Sequence, residues 1–246
     1  MKKEERPSTI ERGVVLHTTK YGERQLIVHL ITAHKARASY IANLGARGEA
    51  RRLFAPLSII EFAATHGTGD MGKMANVAPL PALFDISSNI VKCTIALFMS
   101  ELLYRTARVE NEAGGELFDF VERSVLELEG LTDPTATANY HLYFMVHLAS
   151  NLGYAPRMNW GDGMYFDIKA GEFTVYQPSH LLFFNPRASE ILYRLLAANH
   201  GQSSILAMSG HERSQFLSLM VDYYSWHTDA IHSVRSVAIL SEIFDS

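Results

Sequence analysis

A change in hydrophobic periodicity near residue 81 is the feature that most restricts the fold of this chain. Before it, apolar and polar residues alternate, and turn-forming residues interrupt the alternation at short intervals. Leu26, Val28 and Leu30, for example, fall on one face of a strand. The predicted strands are Ile10–Thr18, Arg24–Thr32, Lys35–Asn43, Phe54–His66 and a short one at Lys73–Ala78. Five short strands in about 70 residues predict a Greek-key barrel of the OB type.

Pro79-Leu80-Pro81 ends the strand region, and helical periodicity follows. Between residues 156 and 184 the helical pattern lapses, and Phe166–Phe173 is typical of a hairpin that turns at Lys169–Gly171. We therefore predict an α+β chain: an OB-fold, nucleic-acid-binding domain at residues 1–81, then a mostly helical domain at 82–246 with a small hairpin insertion. The expected helices are Ile86–Val109, Gly115–Glu129, Asp133–Leu152, one beginning at Asn185-Pro186, Phe216–Trp226 after a capping box that starts at Ser209, and Val234–Phe244.

Charge divides along the chain in the same way as periodicity. Residues 1–52 contain 11 Lys and Arg against 5 Glu, a net +6, whereas the whole chain carries −4. The remainder must therefore sum to −10. A basic segment attached to an acidic body favours a polyanion surface, because clustered Lys and Arg neutralise phosphates and release their counterions.

The basic residues of the strand region are the candidate DNA-binding site. If the barrel closes in OB order, we expect them to line one groove, in which nearby aromatic rings can stack on unpaired bases. The alternative is an ordinary solvated basic surface. The candidate cations are Lys20, Arg24, Lys35, Arg37, Arg47, Arg51 and Arg52, and the candidate rings are Tyr21, Tyr40 and Phe54.

Motifs for other chemistry are weak. Gly67–Gly72 matches G-x-G-x-x-G, but a predicted strand follows it where a dinucleotide site requires a helix, so a hairpin loop is favoured. The closest histidine pairs are five or six residues apart, a spacing that does not place two ligands on one helical face. Neither a catalytic residue nor a cofactor is predicted.

The single cysteine, Cys93, lies in an apolar helical run and is interpreted as an inert core thiol in a reducing cytoplasm. No apolar run approaches the ~18 residues of a membrane helix. The charged opening lacks the apolar region of a secretory signal. We expect a cytoplasmic protein.

Several segments resemble, in order, the bacterial DNA repair protein family RecO. The likeness is carried by short motifs that run through nearly the whole chain. These are Val14–Glu23 and Ile27–Thr32 for the first two strands, Phe54–Phe62 for the fourth, Ile95–Tyr104 and Glu116–Phe118 for the first helices, and Leu152–Pro156 with the Phe166–Phe173 hairpin for the C-terminal module.

The resemblance implies a recombination mediator rather than an enzyme. Members of this family bind single- and double-stranded DNA, anneal complementary strands, associate with RecR, and engage the single-stranded-DNA-binding protein (SSB) so that RecA can load. The DNA-binding role would fall on the basic barrel residues, and nucleoid association would accompany it. An acidic SSB tail would need cations on the helical body, and the candidates there are Arg105, Arg108, Arg187 and Arg194.

One departure from the family concerns zinc. Many RecO proteins carry a four-cysteine zinc module, but this chain has no cysteine after Cys93. A Cys₄ centre needs four thiolates, so the segment Met158–Gln177 cannot form one. We predict instead a metal-free hairpin held by Trp160, Tyr165, Phe166 and Phe173.

Two other functions remain open at the level of sequence. In the first, the barrel docks a protein partner and its basic surface is incidental; binding would then respond weakly to salt. In the second, a pocket in the helical body catalyses hydrolysis, which requires a strongly perturbed carboxylate or histidine pair in one cleft.

Overall fold

The computed structural model describes residues 8–43, 52–65, 71–107, 114–199, 206–229, 231 and 234–244, with only the backbone described at 114 and 241–244. The chain forms two compact units. The first comprises residues 1–84 and 107–125, and the second comprises 85–106 and 126–246. The functional division at residue 81 stays a prediction.

The first unit is built on a closed five-stranded barrel, which confirms the predicted fold of this region. Its strand order is β1-β2-β3-β5-β4, in which β3 and β5 pair in parallel and every other pair is antiparallel. This order is the one expected for an OB fold. The strands are β1 (Thr9–Tyr21), β2 (Gln25–Thr32), β3 (Ala38–Asn43), β4 (Ile59–Thr65) and β5 (Gly72–Pro79).

The long strand β1 closes the barrel because it pairs with two partners. Its first half pairs with β4 and its second half with β2. A register shift between Val15 and His17 lies near the change of partner, where a bulge bends the strand. Gly22, at a φ of 67°, supplies the left-handed residue of the β1–β2 turn. The interior is filled by apolar side chains, among them Val28, Leu30 and Phe62.

Two predicted strands begin later in the structure than the sequence pattern indicated. β3 begins at Ala38, because Thr32 and Lys35 bond each other's backbone and hold residues 33–37 as a connection. β4 begins at Ile59 rather than at Phe54. Leu57 has a φ of 62° and its amide donates to the Val15 carbonyl, so the segment before β4 turns instead of extending.

The G-x-G-x-x-G loop leads into a strand, as expected. Its last glycine, Gly72, is the first residue of β5. Residues 66–70 lie outside the described part of the chain.

The helical region follows the predicted order, with one correction. The predicted helix Ile86–Val109 is divided in two, because the Asn89 side chain accepts from the amides of Val91 and Lys92 and starts a new helix there. The helices are α1 (Phe84–Ser88), α2 (Ile90–Thr106), α3 (Gly114–Gly130), α4 (Pro134–Asn151), α5 (Pro186–Ala197), α6 (Gly210–His227) and α7 (Ser236–Phe244).

Local capping sets the helix ends in the second unit. The Asp133 side chain accepts from the Ala136 amide, and Pro134 occupies the first turn of α4. Asn185 caps α5 in the same way, and Ser209 with Glu212 forms the predicted capping box of α6. α4 is buried along almost its whole length, so it forms the centre of the second unit's core.

A buried lysine joins the start of this unit to the end of α3. Lys92 donates from Nζ to the Asp85 carboxylate at 2.9 Å and to the Glu129 carbonyl at 2.7 Å. The Glu129 carboxylate in turn accepts from the amides of Asp85 and Ile86 in the first turn of α1. These hydrogen bonds satisfy backbone donors that a helix start leaves unpaired.

The predicted hairpin is part of a three-stranded sheet of order β7-β6-β8. Its strands are β6 (Tyr165–Asp167), β7 (Glu172–Thr174) and β8 (Phe183–Phe184). Phe166 and Phe173 are buried with ring centroids 5.0 Å apart, and Trp160 stacks on Tyr193 at 4.5 Å. The free edge of β7 is covered, because the Asn159 side chain both donates to and accepts from the Phe173 backbone. Aromatic packing and one amide side chain therefore order this segment.

Candidate nucleic-acid interface

Pairing in the barrel places alternate residues of β1, β2 and β3 on one outward surface. Residues directly opposite each other in neighbouring strands share a face. Because Val28 and Tyr40 are paired and point into the core, the residues next to them in each strand point outward. We call this surface the strand face; it consists of His17, Thr19, Tyr21, Gln25, Ile27, His29, Ser39, Ile41, Asn43 and Lys73.

The strand face consists of three rows across the sheet. The outer row at the β1–β2 turn is Tyr21–Gln25–Asn43, in which Gln25 Nε2 donates to Asn43 Oδ1 at 3.0 Å. The middle row runs through Thr19, Ile27 and Ile41 to Lys73. The face therefore has an apolar centre with polar groups and a cation at its borders.

Two histidines and a serine form the third row. The rings of His17 and His29 are stacked, with centroids 5.9 Å apart and an angle of 20° between their planes. His29 Nδ1 lies 2.8 Å from Ser39 Oγ on the neighbouring strand, and this hydrogen bond orients the ring. Burial lowers the pKa of His29, and the charges of His17 and Arg37 lower it further. The surroundings of His29 therefore favour its neutral imidazole in the free protein.

The predicted cations lie at the two ends of β2 rather than side by side. Arg24 lies in the β1–β2 turn and Lys20 just before it, where pairing with Leu26 puts Lys20 on the opposite side of β1 from Thr19 and Tyr21. Lys35 and Arg37 lie in the connection from β2 to β3. β2 has 8 residues. At about 3.3 Å per residue, the two pairs are separated by roughly 20–25 Å along the strand. The strand face lies between them.

The remaining predicted cations of this region belong to the segment before β4. Arg52 is exposed, and its carbonyl accepts from Ser58 Oγ at 3.5 Å. Arg47 and Arg51 lie outside the described residues.

Two of the three aromatic candidates require correction. Tyr40 is 3% exposed and Phe54 is 7% exposed, and both belong to the barrel core. Tyr40 points inward because it is paired with the core residue Val28, and Phe54 precedes the delayed start of β4. Neither ring can stack on a base from these positions, whereas Tyr21 is exposed on the strand face.

Sequence reasoning missed most of the strand face. Gln25, Asn43 and the two histidines could have been found by extending the alternation of β1 and β2 through the turn at Gly22. Lys73 had no such signal. Its place beside Ile41 depends on the parallel pairing of β3 with β5, which joins residues far apart in the sequence.

The cations predicted for partner binding have local partners in the second unit. Arg187 bonds Glu212 at 3.0 Å and Glu190 at 3.1 Å, and Arg194 bonds Glu190 at 2.6 Å. Arg105 lies over the Tyr104 ring, 5.7 Å from its centroid. Arg108 lies outside the described residues. The charges of Arg187 and Arg194 are thus offset by neighbouring carboxylates.

Over the described ranges, no three His, Cys, Asp or Glu side chains are grouped so that they could hold a metal ion. Within the same part of the chain, none of the helices has both the length and the apolar character needed to cross a membrane.

Comparison with known families gives matches along almost the whole chain. Residues 7–80 match the model for the N-terminal part of recombination protein O, and residues 87–235 match the model for its C-terminal part. The boundary between the two matches lies just after the barrel's last strand.

Curated relatives of similar length share this likeness. The chain is 32% identical to the DNA repair protein RecO of Porphyromonas gingivalis over 245 residues, which cover 96% of this chain and 99% of the relative. It is 30% identical to the protein of the same name from Bacteroides fragilis over 239 residues, with 95% and 98% covered. The corresponding Flavobacterium johnsoniae protein is 29% identical over 238 residues, with the same coverage.

Proposed function

Because the chain belongs to the RecO family of DNA repair and recombination proteins, we propose that it is a recombination mediator that binds DNA and protein partners rather than an enzyme. In this role it binds single- and double-stranded DNA and anneals complementary strands. With RecR, it helps RecA to load onto single strands covered by SSB. In this role it would act in the cytoplasm, in association with the nucleoid.

The observation that carries the DNA-binding part is the composition of the strand face. Its ten residues include no carboxylate, and its aliphatic centre at Ile27 and Ile41 is bordered by amides, histidines and Lys73. Proteins of the OB type bind oligonucleotides on the surface of β2 and β3. Apolar and aromatic groups there stack with bases, while surrounding donors bind the backbone.

The cation pairs at the two ends of β2 extend this interface. A single strand that crosses the face would meet Arg24 at one end, with Lys20 beside the same turn, and Lys35 and Arg37 at the other end. Each phosphate that these cations neutralise adds to the salt dependence of binding. Tyr21, which is exposed beside the first pair, can stack on an unpaired base.

The role of the second unit is proposed as partner binding. Arg105, Arg187 and Arg194 are exposed cations, and an acidic peptide could compete with Glu190 and Glu212 for the last two. Surface ion pairs of this kind are weak, so their exchange costs little. RecR and SSB are the partners that membership of the family suggests, and RecA would be affected indirectly.

The test is fluorescence anisotropy of a labelled single strand, titrated with the full chain at several salt concentrations. We expect log affinity to fall linearly with log salt concentration, by about 0.7 for each phosphate contacted. Lys73→Glu should weaken binding at least about tenfold, because it reverses a charge on the strand face. Arg123→Glu is the matched control, since it makes the same charge change on α3, where the side chain is exposed.

The outcomes separate the competing functions. Equal effects of Lys73→Glu and Arg123→Glu would remove the strand face as the DNA site. The absence of binding even at low salt would overturn DNA binding and favour the barrel as a protein-docking scaffold. For the annealing and partner functions, the same variants are compared in annealing of complementary strands and in pull-down with purified RecR and SSB.

A further inference from the structure

His17 and His29 are arranged differently from two unrelated surface histidines. Their rings lie side by side on adjacent strands of the strand face, and His29 is fixed from the other side by Ser39. A serine hydroxyl can either donate or accept a hydrogen bond. The Ser39 contact can therefore be kept whether or not His29 is protonated. Ser39 can therefore hold the His29 ring in the same position in both its neutral and its protonated form.

The surroundings of this pair are cationic. Arg37 lies just before β3. Burial, and after it the positive charges of His17 and Arg37, lowers the pKa of His29. The other titratable groups of the strand face are Tyr21 and Lys73, each in a different row. Protonation of both imidazoles in the free protein would therefore place three positive charges close together.

Other ionisable groups lie at the ends of β2. His34 and Lys35 belong to the connection that carries Arg37, and Glu23 and Arg24 to the β1–β2 turn. Of these, Glu23 is the one carboxylate, and it lies at the far end of β2 from His29. In the described part of the chain, the charged groups that act on His29 are His17 and Arg37, so a ligand phosphate would bring a negative charge to the row.

We propose that His17, His29 and Arg37 together form a binding site for a backbone phosphate of single-stranded DNA, and that the site takes up a proton when it is filled. The inference rests on the proposed DNA binding and adds a regulator to it. A phosphate monoanion beside the row offsets the repulsion among the cations and favours the charged imidazole. By linkage, DNA affinity must then rise as the pH falls.

The test compares the affinity for labelled oligo(dT) at about pH 8 and about pH 6, at constant ionic strength. Thymine has no group that titrates in this interval, so a change reports on the protein. We expect the wild-type chain to bind about five- to tenfold more tightly at the lower pH. His17→Gln with His29→Gln should lose most of the pH dependence of binding that the wild type shows.

Two controls use other histidine variants, and NMR measures the pKa of His29 directly. His34→Gln should keep the full pH dependence, because His34 is exposed in a connection outside the strand face. His17→Gln alone, at an exposed position, should reduce the dependence and serves if the double variant unfolds. In NMR titrations of the wild type, the pKa of His29 should rise when oligo(dT) is added.

The inference and the proposed function fail in different ways. Salt-dependent binding with the same pH dependence in the wild type and the double variant would overturn the proton-linked site but leave DNA binding intact. An unchanged pKa of His29 on saturation with oligo(dT) would also overturn it. A lack of salt-dependent binding at both pH values would overturn the proposed function itself.

Discussion

The ring of Tyr40 lies directly against the backbone of Gly72, on the parallel pair that closes the barrel. A Cβ atom placed on Gly72 would come within 2.6 Å of Tyr40 Cε1 and 2.7 Å of Cδ1. The ring cannot move away freely, because it is buried and packs edge-on against Phe62 with centroids 5.0 Å apart. The parallel pairing of β3 with β5 thus requires a residue without a side chain at position 72.

Gly72→Ala is expected to destabilise the barrel by about 1–3 kcal/mol, because the added methyl group overpacks a closed core. Urea unfolding followed by tyrosine fluorescence measures the effect. Gly130→Ala is the control: no atom lies within 4 Å of its added Cβ, and it ends a helix. A loss of stability in Gly72→Ala no greater than in the control would contradict the close contact.

His141 should make the second unit sensitive to acid. Complete burial, and to a smaller extent the Arg213 charge, lowers the pKa of His141 to about 3. The pKa of an unfolded histidine is about 6.5. The contribution of a neutral His141 is therefore fully present above pH 6.5 and is lost progressively as the pH falls towards 3.

The measurement compares His141→Gln with the wild type by urea unfolding at pH 7.5 and pH 5.0. Between these values the wild type should lose about 2 kcal/mol more of its free energy of unfolding than the variant does, since each pH unit below 6.5 costs about 1.4 kcal/mol. Parallel losses in the two proteins would show that His141 is protonated without penalty.

Glu101 is expected to hold the start of the last helix. Its carboxylate accepts from the amides of Arg235 and Ser236 and from Ser236 Oγ, at 2.7–3.1 Å. Burial opposes ionisation, but these hydrogen bonds and the Arg105 charge lower the pKa of Glu101 below its usual value. The contribution is thus present above about pH 4.5 and is lost as the pH falls below it.

Glu101→Gln should reduce the free energy of unfolding by about 1–2 kcal/mol at pH 7, and by less at pH 3.5, where the carboxyl of the unfolded chain is mostly protonated. Thermal unfolding at the two pH values measures this. Glu190→Gln changes an ion pair at the surface and should cost less than about 1 kcal/mol. Equal costs in the two variants at pH 7 would refute the role of Glu101.

The two cation pairs at the ends of β2 should contribute independently to DNA binding. Lys35→Ala with Arg37→Ala should weaken single-strand binding and reduce the slope of log affinity against log salt by about one to two units. Lys20→Ala with Arg24→Ala should do the same, and the two losses should add because the pairs are far apart. An unchanged slope in either double variant would place the contact elsewhere.

The sequence was most informative where structure depends on local interactions. Alternation and turn residues predicted the barrel strands, and Asp133, Asn185 and Ser209 marked helix starts that the structure confirms. It was less accurate where a distant segment intervenes. The sequence pattern predicts a strand from Phe54, yet backbone hydrogen bonds of Leu57 and Ser58 with Val15 hold the segment before β4 in a turn.

By itself, the sequence determined whether the apolar residues of each segment follow a strand or a helix pattern, and where most helices end. It also determined the basic character of the first fifth of the chain and its membership of the RecO family. Those properties depend only on residues close together in the sequence or on the overall composition. Only the tertiary structure decided that Tyr40 points into the core, that Lys73 adjoins Ile41, and that His17 stacks on His29. The reason is physical: strand register and barrel closure are set by hydrogen bonds between segments far apart in the chain, and a shift of one residue would turn each side chain to the opposite face.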